Sequence, residues 1–108
     1  MQYQHFTEKD WKLFRKKLPD WQEACMDRLN RGYILLLSGQ GSPSDKFWEL
    51  DKRIREDQKM AGVQLSMRRS NLIYSLASLI NEGTIDWKDM EEFSDDLKDA
   101  VKFLTSHH

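Results

Sequence analysis

This chain of 108 residues has one cysteine, two prolines and five glycines, and it has no long hydrophobic run. Because an intramolecular disulfide needs two cysteines, the lone Cys25 excludes one and is typical of a protein in a reducing compartment. The longest apolar run, Tyr33 to Leu37, has five residues, whereas a membrane-spanning helix needs about 20. The chain also opens without the basic start and apolar stretch of a secretion signal. We therefore expect a cytoplasmic protein that does not enter a membrane.

The composition that is present is that of a globular protein. Hydrophobic residues make up 39% of the chain and charged residues 32%, which is too apolar for intrinsic disorder. A chain of this length buries roughly two-thirds of its unfolded surface, so it needs no metal to fold. We expect a single helical domain over residues 1–108, with mobile ends at about 1–5 and 105–108.

Helical periodicity and end signals predict five helices, and no segment alternates as a strand does. Thr7 is typical of an N-cap, with Asp10 in the acceptor position of a capping box. Pro19 suits a first helical turn, so a second helix begins there unless the first helix continues through it with a kink. The other predicted ends are Ser38-Gly39, Ser42 or Ser44, Ala61-Gly62, Ser66, Gly83, and Thr84 or Asp86. The prediction is an all-α fold, a compact bundle of four long helices plus a short N-terminal helix.

Apolar residues at helical spacing give each predicted helix a face for the core. Cys25 lies on such a face and is expected to pack as a small hydrophobe. The third helix has Phe47, Leu50 and Ile54 on the side expected to face the core. Trp48 lies about 100° around the helix from Phe47, so it either packs at the edge of the core or remains exposed to solvent. The fifth helix has a heptad-like seam formed by Trp87, Met90, Ser94, Leu97, Val101 and Leu104. We expect this seam to enter the core, and self-association through it is the alternative.

Three arrangements that carry chemistry in other proteins are incomplete here. Residues 81–89 resemble the second half of a calcium-binding helix–loop–helix, but aligning on Gly83 puts Ile80, which has no oxygen ligand, at a coordinating position. His5, His107 and His108 have no third ligand at metal spacing. Residues 39–41 (Gly-Gln-Gly) are not followed by the Gly-Lys-Ser/Thr of a phosphate-binding loop. We therefore expect no metal, no cofactor and no enzymatic activity.

The net charge of −1 is unevenly distributed along the chain. Residues 71–108 hold eight acidic and three basic side chains. The turn at Gly83 could belong to a DNA-binding helix-turn-helix, but its recognition helix would then be acidic and would be repelled by the phosphates. Arg68 and Arg69 are expected in the first turn of the fourth helix and to pair with the acidic fifth helix. If nucleic acid or another anion binds, the candidate contacts are Lys12, Lys16, Arg53, Arg55, Arg68 and Arg69.

Protein–protein interaction is the function class that these exclusions favour. The chain has four tryptophans, and an exposed Trp48 would be a typical interface anchor. The outer face of the predicted fifth helix adds Glu91, Glu92, Asp95 and Asp96, which form either a partner-binding face or a solvated surface. We predict a non-catalytic module (an adaptor, inhibitor or regulator) that binds another protein or itself. A nucleic-acid-associated regulator is the alternative.

Four segments carry a family resemblance: residues 47–57 (FWELDKRIRED), 62–65 (GVQL), 69–74 (RSNLIY) and 90–98 (MEEFSDDLK). Together they resemble a group of uncharacterised short bacterial all-helical proteins sometimes labelled "multidrug transporter", over roughly Phe6 to Leu104. The resemblance contains no motif tied to chemistry, so it assigns no functional residue. The transporter label conflicts with the lack of a hydrophobic span in this chain.

Overall fold

The computed structural model describes residues 5–106, which form four α-helices and two short 3₁₀ turns. The helices are α1 (Glu8–Ser38), α2 (Pro43–Asp57), α3 (Leu72–Asn81) and α4 (Asp95–Thr105), and the 3₁₀ turns are Arg69–Asn71 and Trp87–Met90. Residues 5–106 contain no strand, so the predicted all-α class is confirmed. The predictions made for residues 1–4 and for His107 and His108 lie outside the described residues.

The predicted first and second helices form one continuous helix, α1, about 46 Å long. Its start is as predicted, because the Asp10 N–H donates to the Thr7 hydroxyl at 3.1 Å and the Thr7 N–H donates to the Asp10 carboxylate at 3.0 Å. Pro19 lies inside α1, which was the alternative to a new helix. Pro19 removes a hydrogen bond to the Arg15 carbonyl, and both residues are on the exposed side. Water can therefore satisfy that carbonyl, and the helix continues.

The prediction of one long fifth helix from residue 84 or 86 is wrong. Asp86 does cap a helical segment, but that segment is the 3₁₀ turn Trp87–Met90, and α4 begins after a new N-cap at Ser94. The Ser94 N–H and hydroxyl donate to the carboxylate of Asp10 on α1, at 2.9 and 2.6 Å. This contact and the burial of Phe93 turn the chain between the two segments. The break therefore depends on contacts with α1.

The ends of α2 and α3 also differ from the prediction. Ser42 caps α2 as one of the two predicted candidates, but α2 ends at Asp57 and not at Ala61-Gly62. Ser66 caps no helix, because it lies in an irregular segment and α3 begins only at Leu72, after a 3₁₀ turn. Gly83 ends α3 with φ at +82°, as predicted.

The core lies at one end of an elongated molecule. It is formed by the first half of α1, by α3, by α4 and by the loops between them, and its buried apolar residues are Trp11, Phe14, Leu18, Ala61, Leu72, Leu76, Ala77, Leu79, Ile85, Met90, Phe93, Leu97 and Val101. The structure measures 55 × 28 × 25 Å, with a radius of gyration of 16.6 Å, against about 13 Å for a compact domain of this length. The rest of the length comes from residues 26–57, which we call the arm. None of the arm's side chains, all within the described residues, is buried.

Three residues of the predicted heptad seam, Met90, Leu97 and Val101, are fully buried. The seam therefore enters the core, as expected. Met90, Leu97 and Val101 are therefore not available for self-association. Trp87, at its start, is 38% exposed and has the Lys102 ammonium 5.8 Å from its ring centroid.

Candidate interaction surface

The arm is a helical hairpin in which the second half of α1 packs against α2. Polar bonds fasten the two helices at both ends of the hairpin. The Lys46 ammonium donates to the Leu37 carbonyl at 3.1 Å, and the Tyr33 hydroxyl donates to the Asp57 carboxylate at 2.5 Å. Partial burial and the bond to Asp57 raise the pKa of Tyr33 to about 12. The hairpin is thus held in a defined shape although it buries no side chain.

Large apolar side chains lie exposed near the connection between α1 and α2. The exposed fractions are 61% for Ile34, 74% for Leu35, 48% for Leu37, 62% for Phe47 and 64% for Trp48. We call these five residues the apolar tip. Residues 33–37 are apolar on every side of the helix, because five consecutive positions span more than one turn. A helical turn with this pattern is normally buried, and here α2 covers one side of it.

Trp48 is exposed, which was one of the two readings that its position allowed. The expected core face of α2 is not formed, because Phe47 is exposed and Ile54 is 37% exposed. The reason is that α2 packs chiefly against α1, so the sides of α2 that face away from α1 stay open to solvent. The rings of Phe47 and Trp48 meet edge to face, with centroids 4.9 Å apart. The two aromatic side chains therefore form one surface feature.

The acidic residues predicted to bind a partner are all exposed, but they do not lie on one helix face. Glu91 and Glu92 are in the turn before α4, and Asp95 and Asp96 are in its first turn, where the helix dipole stabilises negative charge. Glu92 pairs with Lys17 at 2.7 Å, and this pairing lowers the pKa of Glu92. These residues lie beside the first half of α1, so they are separate from the apolar tip.

The predicted anion-binding residues are divided between two places, and several are already engaged. In α2, Arg53 pairs with Glu49 at 3.4 Å and Arg55 with Asp51 at 3.2 Å, as the i, i+4 spacing predicts. The same spacing would also allow Lys52 to pair with Glu56, but this pair is not formed within the described residues.

The other basic candidates lie beside the first half of α1. Arg69 pairs with Glu8 at 2.6 Å and lies over the Trp11 ring, 5.5 Å from its centroid. The expected intramolecular pairing of Arg69 is therefore made with α1 and not with an acidic fifth helix. Arg68 precedes the 3₁₀ turn and is exposed, so neither arginine is in the first turn of α3. Lys12 and Lys16 border a shallow pocket beside Glu92.

A second apolar surface, which the sequence did not indicate, lies between α3 and α4. It is an open groove of about 560 Å³, and its lining includes Ile73, Tyr74 and Phe103, with Asp96 and Asp99 beside them. Tyr74 and Phe103 are 67% and 62% exposed. The signal that could have indicated this groove is that neither Tyr74 nor Phe103 shares a helix face with the buried residues of α3 and α4.

A polar cluster fixes the loop between α2 and α3 onto the core. The Glu82 carboxylate accepts hydrogen bonds from the Ala61 N–H at 2.8 Å, from the Gly62 N–H at 2.7 Å and from the Thr84 hydroxyl at 2.6 Å. Cys25 is 2% exposed and lies against this cluster, so its predicted core role is confirmed. Among residues 5–106, no three His, Cys, Asp or Glu side chains form a group that could hold a metal ion.

Asp10 is the second buried polar residue with a structural role. Its burial raises the pKa of the carboxyl group, but hydrogen bonds from Ser94 and Thr7 outweigh that effect, so its pKa lies below the ordinary value. The carboxylate ties the start of α1 to the start of α4. Both donor residues are helix N-caps, which indicates a structural function.

No helix within residues 5–106 combines the length and the apolar character needed to cross a membrane. The chain was also compared with protein-family models, with curated proteins and with solved structures, and none of the three comparisons gives a match. The resemblance to short bacterial proteins therefore stays a prediction, and the apolar tip is the surface on which a functional proposal rests.

Proposed function

We propose that this protein is a small, non-catalytic helical module of the cytoplasm that acts by binding protein through the apolar tip of its arm. The exposure of five large apolar side chains on a hairpin that has no fully buried side chain carries this proposal. Single exposed hydrophobic residues are common on protein surfaces, whereas a cluster of them typically marks an interaction site. Tryptophan is among the residues that contribute most to binding energy at interfaces.

The form of the arm supports the same proposal. Its helices are tied by Lys46 to Leu37 and by Tyr33 to Asp57, so the tip is presented in a preformed shape. A preformed surface loses less conformational entropy on binding than one that must first become ordered. The arm also extends beyond the core, so a partner can reach the tip without disturbing the core.

The test is capture from a lysate of the source organism, with and without nuclease, using the wild type and two matched variants. Trp48→Ala removes an exposed ring at the tip, and Tyr74→Ala removes an equally exposed ring elsewhere. We expect a stoichiometric protein to be retained by the wild type and by Tyr74→Ala, lost with Trp48→Ala, and unaffected by nuclease. Because Trp48 is 64% exposed, its removal should cost less than about 1 kcal/mol of folding stability.

Equal capture by wild type and Trp48→Ala would contradict the proposed site. Loss of all captured material on nuclease treatment would favour the nucleic-acid alternative, whose affinity should fall steeply as salt rises. The acidic residues are tested separately, by replacing Glu91, Glu92, Asp95 and Asp96 with their amides. If that variant folds and still captures the partner, the acidic residues are not part of the binding surface.

A further inference from the structure

The exposed face of α2 that carries Trp48 also carries two charges of opposite sign. Asp45, Trp48 and Lys52 follow each other at i, i+3 and i+7, and this spacing places them along one side of a helix. All three are exposed. The acidic residue lies about one turn before the tryptophan and the basic residue about one turn after it.

These two charges differ from four others on α2, which form ion pairs within the helix. Glu49 with Arg53 and Asp51 with Arg55 form ion pairs inside α2. Neither Asp45 nor Lys52 makes an ion pair with any residue between 5 and 106. The face around Trp48 therefore has an anchor for a partner and two charges that can still be paired.

The spacing of the charges is complementary to itself in one orientation. Along the axis of α2, Asp45 and Lys52 lie about 5 Å on either side of the point midway between Trp48 and Glu49. A second α2 that runs antiparallel across this point brings Asp45 of each copy level with Lys52 of the other. A parallel second copy would instead bring like charges together, which is unfavourable.

We propose that the protein forms a homodimer in which α2 packs antiparallel against α2 of a second copy, with Trp48 at the centre and two ion pairs between Asp45 and Lys52 at the edge. This proposal rests on the proposed function, because it names a second copy of the chain as the protein bound at the arm. The contact is isologous, as a twofold axis requires. The Phe47 ring, which meets Trp48 edge to face, borders the contact on the other side.

The small size of the contact limits the stability of the dimer. α2 has 15 residues and is about 22 Å long, so the pairing of two such helices is smaller than the interface of a permanent dimer. The dimer should therefore dissociate on dilution. Added salt should weaken it, because the ion pairs lie at an exposed edge.

The experiment measures mass against concentration by sedimentation equilibrium, with helix content checked by circular dichroism. The wild type should pass from 12.9 kDa to twice that mass as its concentration rises. Trp48→Ala should remain a monomer. Asp45→Lys and Lys52→Asp each place like charges together at both edges, so each variant alone should dimerise at least about tenfold more weakly.

The decisive sample is an equimolar mixture of the Asp45→Lys and Lys52→Asp variants. In a mixed dimer each lysine again faces an aspartate, so association should return to within about threefold of the wild type. The Lys59→Asp variant is the matched control, since Lys59 lies in the exposed turn after α2. It makes the same charge change outside the contact and should dimerise as the wild type does.

Three results would overturn the dimer: a wild type that stays a monomer at every concentration, single variants that dimerise as well as the wild type, or a mixture of folded variants that does not associate. The failure of the dimer is distinguishable from the failure of the proposed function. A monomeric wild type that still captures a different protein through Trp48 refutes the second copy and leaves the binding function standing.

Discussion

Gly62 lies where the loop after α2 passes over α1, and it has no room for a side chain. A Cβ atom at this position would lie 2.5 Å from the Cys25 sulfur and 2.5 Å from the Thr84 hydroxyl oxygen. Ordinary contacts between such atoms are about 3.5–4.0 Å, so Gly62→Ala creates two overlaps of about 1 Å and a third, smaller one with the Cys25 Cβ atom, at 2.9 Å. Cys25 and Thr84 are both buried, and the Thr84 hydroxyl is bonded to Glu82, so neither can move freely.

The expected loss of unfolding free energy for Gly62→Ala is about 3 kcal/mol, at the upper end of the range for overpacked cores. For a domain of this size, that loss lowers Tm by about 12–24 °C. Urea and thermal unfolding followed by circular dichroism measure both quantities. Gly32→Ala is the matched control, because Gly32 lies inside α1 and a Cβ atom there would have no neighbouring atom within 4 Å. That substitution should raise stability by about 0.5–1 kcal/mol.

A double-mutant cycle tests the physical cause. In a Cys25→Ala background the sulfur is absent, so Gly62→Ala should cost at least about 1 kcal/mol less than it does in the wild type. An equal cost in both backgrounds would show that contact with the sulfur is not responsible. A Gly62→Ala variant as stable as the wild type would refute the steric argument as a whole.

Three further predictions concern buried or partly buried polar groups. Asp10→Ala should lower the unfolding free energy by about 2–4 kcal/mol in urea titrations at neutral pH, because it leaves the Ser94 and Thr7 donors without their acceptor. Folding lowers the pKa of Asp10. The stability that the ionised carboxylate contributes is therefore complete above pH 3.8, its ordinary pKa, and is lost as the pH falls through the lower folded-state pKa. Urea titrations across acidic pH measure this loss. The pKa of Tyr33 is raised to about 12, so the protonated hydroxyl stabilises the protein below pH 10.0, its ordinary pKa, and this contribution is lost as the pH rises through about 12. An ultraviolet titration should show one tyrosine that ionises at a higher pH than the others, and Tyr33→Phe should remove it. Glu82→Gln should cost about 1–3 kcal/mol, because its amide NH₂ must face a backbone N–H donor.

Each of these predictions has a result that contradicts it. If Asp10→Ala and wild type lose stability equally on acidification, Asp10 is not the group responsible. An ultraviolet titration in which all three tyrosines titrate together near their ordinary pKa would rule out the bond from Tyr33 to Asp57. If Glu82→Gln is as stable as the wild type, the Glu82 carboxylate does not hold the loop at Gly62.

Much of the fold follows from local sequence signals. The cap at Thr7, the left-handed glycine at Gly83, the core position of Cys25 and the all-α class depend on residues within one or two helical turns of each other. Such short-range signals act through local backbone hydrogen bonds and periodicity. They do not need the rest of the chain, so they could be predicted.

Other features required tertiary structure, because they depend on contacts distant in the sequence or on which side of a helix meets water. Pro19 is compatible with a helix start and with a helix interior, and its exposed side allows the second. The break before α4 depends on the bond between Ser94 and Asp10, 84 residues apart. The sequence contains Trp48 and its charged neighbours at helical spacing, but their exposure depends on the packing of α2, which is chiefly against α1. The sequence therefore determines which residues share the helix face of the candidate site. Their exposure to solvent follows from the tertiary structure, because the core lies at the other end of the molecule.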